Sequence, residues 1–198
     1  MASEPRRVAA FDFDGTISRR DTLVPFLARV AGRPRLAAAA ARRAPQLVAM
    51  NLGRADRDLE KEHLLRRTLV GARADRVSEV GETYAAALWN RHNFRPEILD
   101  RLAWHRSEHH EIVIVSASLE VYLEPLAPHL GVDHVIACQL ETAGHHLTGE
   151  LLGGNVRGAE KTKRLRAWLG DATVELWAYG DSSGDNELLA MADHPTRV

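Results

Sequence analysis

The spacing of apolar and polar positions changes character along the chain. Val8-Ala9-Ala10-Phe11 is a short unbroken apolar run that stops at Asp12, Asp14 and Gly15, the pattern of a buried strand emptying into a loop. From about Asp21 to Asn93 the spacing becomes helical: Leu23, Phe26, Leu27 and Val30 share one face, as do Val77, Val80, Tyr84 and Leu88. Gly32-Arg33-Pro34, Asn51-Leu52-Gly53 and Gly71 divide this stretch into four helices. Another helix opens at Pro96. Strands and helices then alternate. Residues 111–115 form a buried strand ending at Ser116, and Leu119, Tyr122, Leu123, Leu126 and Leu130 mark a helix. Residues 135–140 read as a strand that 147–152 joins as a hairpin across Gly144. A helix over 159–169, a strand over 174–179 and a helix over 185–192 follow, with a last strand beginning at Thr196.

Such alternation predicts an α/β fold, a doubly wound, Rossmann-like parallel sheet. The helical block between the first two strands is far too long for a simple crossover, so it reads as an all-helical cap inserted into the sheet domain. The expected division is 1–18 plus 95–198 for the core and 19–94 for the cap. Composition adds exclusions. With 198 residues, 45% hydrophobic and 27% charged, the chain has the make-up of a globular protein with a buried core. A net charge of −1 offers no basic surplus for nucleic acid. No apolar stretch reaches membrane-spanning length, and the first residues are too polar for a signal peptide. One cysteine, Cys138, excludes an internal disulfide and fits a cytoplasmic protein. Only three of the basic residues are lysines (Lys61, Lys161, Lys163), against 23 arginines.

Polar residues gather where the predicted strands stop: Asp12 and Asp14, Ser116 and Ser118, Asp181 and Asp185. Open parallel sheets bind ligands outside the carboxyl ends of their strands, so three strand ends aim chemistry at one place. In isolation each has a plainer reading. An Asp-x-Asp is often loop chemistry, the serines and Asp185 suit helix caps, and Lys161 suits a solvated helix surface.

Taken together and in order, these residues resemble the signatures of the haloacid dehalogenase superfamily of phosphatases. Asp12-Phe13-Asp14-Gly15-Thr16 is similar to the first, Ser116 to the second, Lys161 after a glycine-rich loop to the third, and Gly180-Asp181-Ser182-Ser183-Gly184-Asp185 to the fourth. The insert directly after the first motif resembles the helical C1-type cap of subfamily IB, the phosphoserine-phosphatase-like branch. The resemblance implies that Asp12 is a nucleophile forming an aspartyl-phosphate and that Asp14 acts as general acid and base. Ser116 and Lys161 would hold the transferring phosphoryl oxygens. Mg²⁺ is the implied cofactor, held by Asp12, the Asp14 backbone carbonyl and Asp181, with Asp185 orienting a metal water or Lys161.

The same resemblance implies a small phosphomonoester as partner. Asp21, nine positions after Asp12, falls where phosphoserine phosphatases bind the substrate ammonium, and it equally suits a helix N-cap. Those enzymes have a glycine pair after the serine, whereas Ala117 and Ser118 stand here, placing side chains in the substrate space. Ser116-Ala117-Ser118 with Pro125 is closer to a sister group that includes a phosphatidylglycerophosphate phosphatase. Residues 36–50, where a membrane-engaging segment would lie, are broken by Arg42, Arg43 and Pro45, which favours a solvated cap helix over membrane contact. His105, His109 and His110 have partial zinc-ligand spacing, but a solvated polar helix face is the expectation. Cys138 reads as a buried small hydrophobe. The rival class is a non-hydrolytic phospho-aspartate switch, against which Asp14 argues, because a hydrolase needs an acid and base beside its nucleophile. Nothing in the pattern specifies an oligomeric state.

Overall fold

A computed structural model describes residues 5–41 and 57–198. Six strands form one sheet: β1 (Arg6–Phe11), β2 (Glu111–Leu119), β3 (His134–Ala143), β4 (His146–Leu152), β5 (Val174–Gly180) and β6 (His194–Arg197), ordered β4-β3-β2-β1-β5-β6. All neighbouring pairs are parallel except the β3–β4 hairpin. This is the predicted doubly wound sheet with an antiparallel edge strand. β1 sits at its centre, and Val8, Ala9, Ala10 and Phe11 are fully buried, which is why the strand reads as a continuous apolar run rather than an alternation.

Register decides where the polar residues emerge. Phe11 pairs with Ile114 on one side and Tyr179 on the other. Asp12, Ser116 and Asp181 therefore leave the sheet at the same edge, within a residue or two of level. β2 runs further than predicted, to Leu119, which pairs with Cys138 after a register shift beyond Val115. Ser116, Ala117 and Ser118 thus sit on a bulge rather than in a loop. Bulges re-aim side chains, and their concentration beside active sites has that cause.

Between residues 19 and 94 the described residues form four helices: α1 (Leu23–Ala31), α2 (Arg33–Ala41), α3 (Arg57–Leu69) and α4 (Ala74–Asn90). Phe26, Leu27, Val77, Tyr84 and Leu88 are buried as the helical spacing required, with Leu23, Val30 and Val80 packed at the margin. The Asn51-Leu52-Gly53 break and most of the 36–50 segment lie outside the described residues. The chain leaves for these helices and returns side by side: Arg19 N donates to Asn93 O (3.1 Å) and Arg95 N to Ile17 O (3.0 Å). α5 (Pro96–Ser107), α6 (Glu120–Leu130) and α7 (Ala159–Leu169) complete the crossovers. α4 packs closely on α6, where the missing side chain of Gly81 makes room for the Val121 carbonyl, 2.2 Å from where a Cβ would stand. The predicted 185–192 helix divides into a 3₁₀ turn (Ser183–Asp185) and α8 (Asn186–Met191).

The histidine expectation is corrected. The helix ends at Ser107, and His105 and His110 are buried rather than solvated. Their Nδ1 atoms share a hydrogen bond of 2.8 Å, and His105 Nε2 meets the Tyr179 hydroxyl at 2.9 Å. Burial lowers both histidines below their ordinary range, His105 to about 4. Neutral imidazoles serve this pocket because each ring has a partner and Phe11, Trp104 and Trp177 enclose them. His109 is exposed, at a φ of 58°. Among the described residues no helix is long and apolar enough to cross a membrane.

Candidate active site

A cavity of about 400 Å³ opens at the carboxyl edge of the sheet, lined by Asp12, Asp14, Asp21, Ser116, Ala117, Ser118, Lys161 and Asp185 among others. Asp12 directly follows β1 and is 6% exposed. Lys161, on the first turn of α7, crosses to it: Nζ donates to Asp12 Oδ1 (2.6 Å) and to Asp185 Oδ1 (2.5 Å). The far oxygen of Asp185 accepts from Ser182 N (3.0 Å) and Ser182 Oγ (2.8 Å), which closes a capping box on the 3₁₀ turn. Asp185 is thereby fixed on both oxygens and holds the Lys161 ammonium.

Asp12, Asp181 and Asp185 bring carboxylate oxygens within 4.8 Å of one another. Three carboxylates against one ammonium leave a buried surplus of negative charge, costly without a further cation. Burial pushes the Asp12 carboxyl upward against the pull of Lys161, and burial and then the Asp185 charge push Asp181 upward. Burial would depress Lys161, but Asp12 and Asp185 outweigh it and its pKa ends raised. Asp181 Oδ1 is buried with no hydrogen-bond partner. Its carboxylate packs directly on Gly15, where a Cβ would stand 2.2 Å from Oδ2, and Gly15 has a φ of +87°. An unpartnered carboxylate oxygen among oxygen donors fits a hard divalent cation such as Mg²⁺.

Asp14 is held apart from this group. Oδ1 accepts from Thr22 N (3.1 Å) and Thr22 Oγ1 (2.7 Å), and Oδ2 accepts from Ser118 Oγ (2.6 Å). Burial, then the charge of Asp21, raises its carboxyl to about 7. Asp12 and Asp14 face the same cavity while Phe13 between them, in the turn that follows β1, is fully buried. Ser116 is buried, and its Oγ accepts from Ser118 N (3.1 Å). Asp21 Oδ1 accepts from Val24 N (3.1 Å) in the first turn of α1, whose N-cap is Thr22, and the residue lines the cavity.

Lys61, Asp58, Asn155 and Arg157 also line the cavity and were not singled out from the sequence as site residues. Lys61 did leave a signal, since two of the three lysines in an arginine-rich chain meet here. Ammonium and guanidinium are not interchangeable at a confined site. The others gave none. Cys138 is buried as expected, but its sulfur is not in purely apolar company: Lys61 Nζ and Val156 N both lie 3.2 Å from it.

The sequence model of the haloacid dehalogenase-like hydrolase family matches residues 9–190, and the chain belongs to that family. It is 37% identical to the protein CicA of Caulobacter vibrioides over 98% of this chain and 86% of that one. A histidinol-phosphatase of Neisseria meningitidis serogroup C is 29% identical over 48% of this chain and 46% of its own. Among solved structures, a protein of unknown function from Bordetella pertussis Tohama I has a TM-score of 0.79 at 26% identity, covering 94% of this chain and 87% of that one. A substrate-bound phosphoserine phosphatase shares the fold, with a TM-score of 0.65 at 16% identity over 96% of this chain and 84% of its own.

Proposed function

We propose that this hydrolase is a Mg²⁺-dependent phosphatase that acts through an aspartyl-phosphate on a small phosphorylated metabolite, phosphoserine or a related compound. The observation that carries the reading is the pairing of Asp12, bound to the Lys161 ammonium at 2.6 Å, with a separate carboxyl, Asp14, raised to about 7. Two acids in one pocket with divergent environments are suited to two roles. An Asp12 oxygen attacks phosphorus, the ester bond breaks, and the Asp14 carboxyl gives its proton to the leaving oxygen. Asp14, now a carboxylate, takes a proton from the water that attacks the phospho-aspartate, releasing phosphate and restoring Asp12. Ser116 and Lys161 bind the phosphoryl oxygens, and Asp185 holds Lys161 in place. Asp12, the Asp14 carbonyl and Asp181 are the proposed metal ligands, and the bound ion would offset the charge between nucleophile and phosphate.

The four helices α1 to α4 would act as a cap over the cavity, dividing the chain into 1–18 plus 95–198 and 19–94. The isolated antiparallel bridge between Ser18 and Phe94 supports that boundary. The reaction would take place in the cytoplasm. Asp14 weighs against a stable phospho-aspartate switch, since its proton transfers serve hydrolysis.

Phosphate release is the test, from phosphoserine, histidinol phosphate, small sugar phosphates and dispersed phosphatidylglycerophosphate, with Mg²⁺ and with EDTA. Mg²⁺-dependent turnover of a water-soluble member, lost in Asp12→Asn, is expected. Turnover of the lipid alone would move the reading to a lipid-phosphate phosphatase. No turnover with a persistent phospho-aspartate would move it to a switch.

A further inference from the structure

Lys61 belongs to α3, in the helical segment, yet its ammonium lies among the core residues of the site. Nζ donates to the Ala117 carbonyl, to Asn155 Oδ1 (2.5 Å), and lies 3.2 Å from Cys138 Sγ. Those acceptors come from three core segments that border the cavity: the bulge of β2, strand β3, and the loop leading to α7. An ammonium has three protons, and here each has an acceptor. Asn155 is held a second time from α3, its Nδ2 donating to Asp58 Oδ1 (2.7 Å). Ordering a lysine side chain costs rotamer freedom, so a convergent arrangement of this kind needs compensating contacts.

The position of the Ala117 carbonyl gives the contact its meaning. Ala117 is the centre of the Ser116–Ser118 bulge. On one side Ser118 Oγ is fixed to Asp14, and Ser118 N is fixed to Ser116 Oγ. Lys61 holds the other side. The bulge that presents Ser116 is therefore clamped between the acid of the core and a cation of the helical segment. With its protons committed to the chain, Lys61 has none left for a substrate.

We propose that Lys61 is a positioning residue: by tying the Ala117 carbonyl, Asn155 and Cys138 together it sets the Ser116–Ser118 bulge in its phosphoryl-binding geometry and makes that geometry depend on α3 being seated. This rests on the phosphatase reading above. A residue acting through the bulge affects every substrate alike, because all share the phosphoryl group. A residue reading the leaving group would discriminate between them.

The test compares the full-length Lys61→Met and Lys61→Arg variants with wild type in Mg²⁺, on p-nitrophenyl phosphate and on phosphoserine, together with amide hydrogen exchange of residues 116–119 and 155–157. Expected for Lys61→Met is a kcat lower by about 10–100-fold, the loss that small misplacements of reacting groups produce. The loss should match on both substrates, with KM within about threefold of wild type. Exchange at 116–119 and 155–157 should be faster, while exchange in β1 and β5 is unchanged. Lys61→Arg, which keeps the charge and donors on a bulkier, planar group, should recover part of both losses. Wild-type kcat in Lys61→Met overturns the proposal, as does a loss confined to one substrate. Equal failure of both variants with faster exchange throughout the protein also overturns it, as a purely structural role. If wild type releases no phosphate from either compound, the phosphatase reading is what has failed. The exchange data then decide the clamp alone, and unchanged exchange at 116–119 in Lys61→Met rejects it.

Discussion

Asp14 carries two demands that pull against each other. Burial raises its carboxyl to about 7, so at neutral pH the folded protein holds a carboxylate in a place that favours the neutral acid. Because the folded pKa lies above the unfolded one, Asp14 contributes stability at low pH that is lost as pH rises from about 4 through about 7. Asn at this position can still accept from Thr22 and face Ser118 without a charge. Asp14→Asn is therefore expected to melt at a higher temperature than wild type at pH 8 while losing at least about 10²-fold in kcat, the usual contribution of an acid or base. Thermal melts at pH 5 and pH 8 check the sign, since the stabilising difference should shrink at the lower pH. Gly15 makes a second residue-scale case. With a left-handed φ and the Asp181 carboxylate against it, Gly15→Ala has both strain and a clash. It is expected to lower the melting temperature and weaken Mg²⁺ binding together, measurable by calorimetry.

At the scale of elements, the carboxyl end of β2 and the seam between α5 and β5 show what pairing adds to pattern. Residues 111–115 were legible as a strand from their apolar run. The bulge beyond was not, because it exists only through the pairing of Leu119 with Cys138. The seam buries His105 against Tyr179 and His110. Its pKa is depressed to about 4, so its contribution is fully present above the unfolded value near 6.5 and is lost as pH falls towards 4. His105→Gln is expected to flatten the acid limb of the stability curve by up to about 1.4 kcal/mol per pH unit over that window. Urea melts at successive pH values, compared variant against wild type, remove the opposing contribution of the buried carboxyls. A difference that does not vary with pH would reject it.

For the whole molecule, the acids gathered from two strand ends set a charge balance that no single element reveals. Asp12, Asp181 and Asp185 repel one another, and Lys161 offsets only part of that. Mg²⁺ is expected to raise the melting temperature of wild type in proportion to the logarithm of its concentration, as a ligand of the folded state does. Asp181→Asn should lose most of that shift and gain stability in EDTA, because it removes a buried charge. An equal Mg²⁺ shift in the variant would exclude Asp181 as a ligand.

The order of strands and helices and the polar strand ends carrying Asp12, Asp14, Ser116, Asp181 and Asp185 were legible in the pattern of residues, and Lys161 through the resemblance of its motif. Local period and abrupt polarity changes are properties of adjacent residues, and they survive in one dimension. Tertiary structure decided what depends on residues far apart. It buried His105 and His110, given as solvated, because an aromatic pocket from α5 and β5 closes around them. It turned Ser116–Ser118 into a bulge. It carried Lys61 across more than fifty positions to Ala117, a contact that no spacing encodes, since it exists only where a helix of the insert rests on the edge of the sheet.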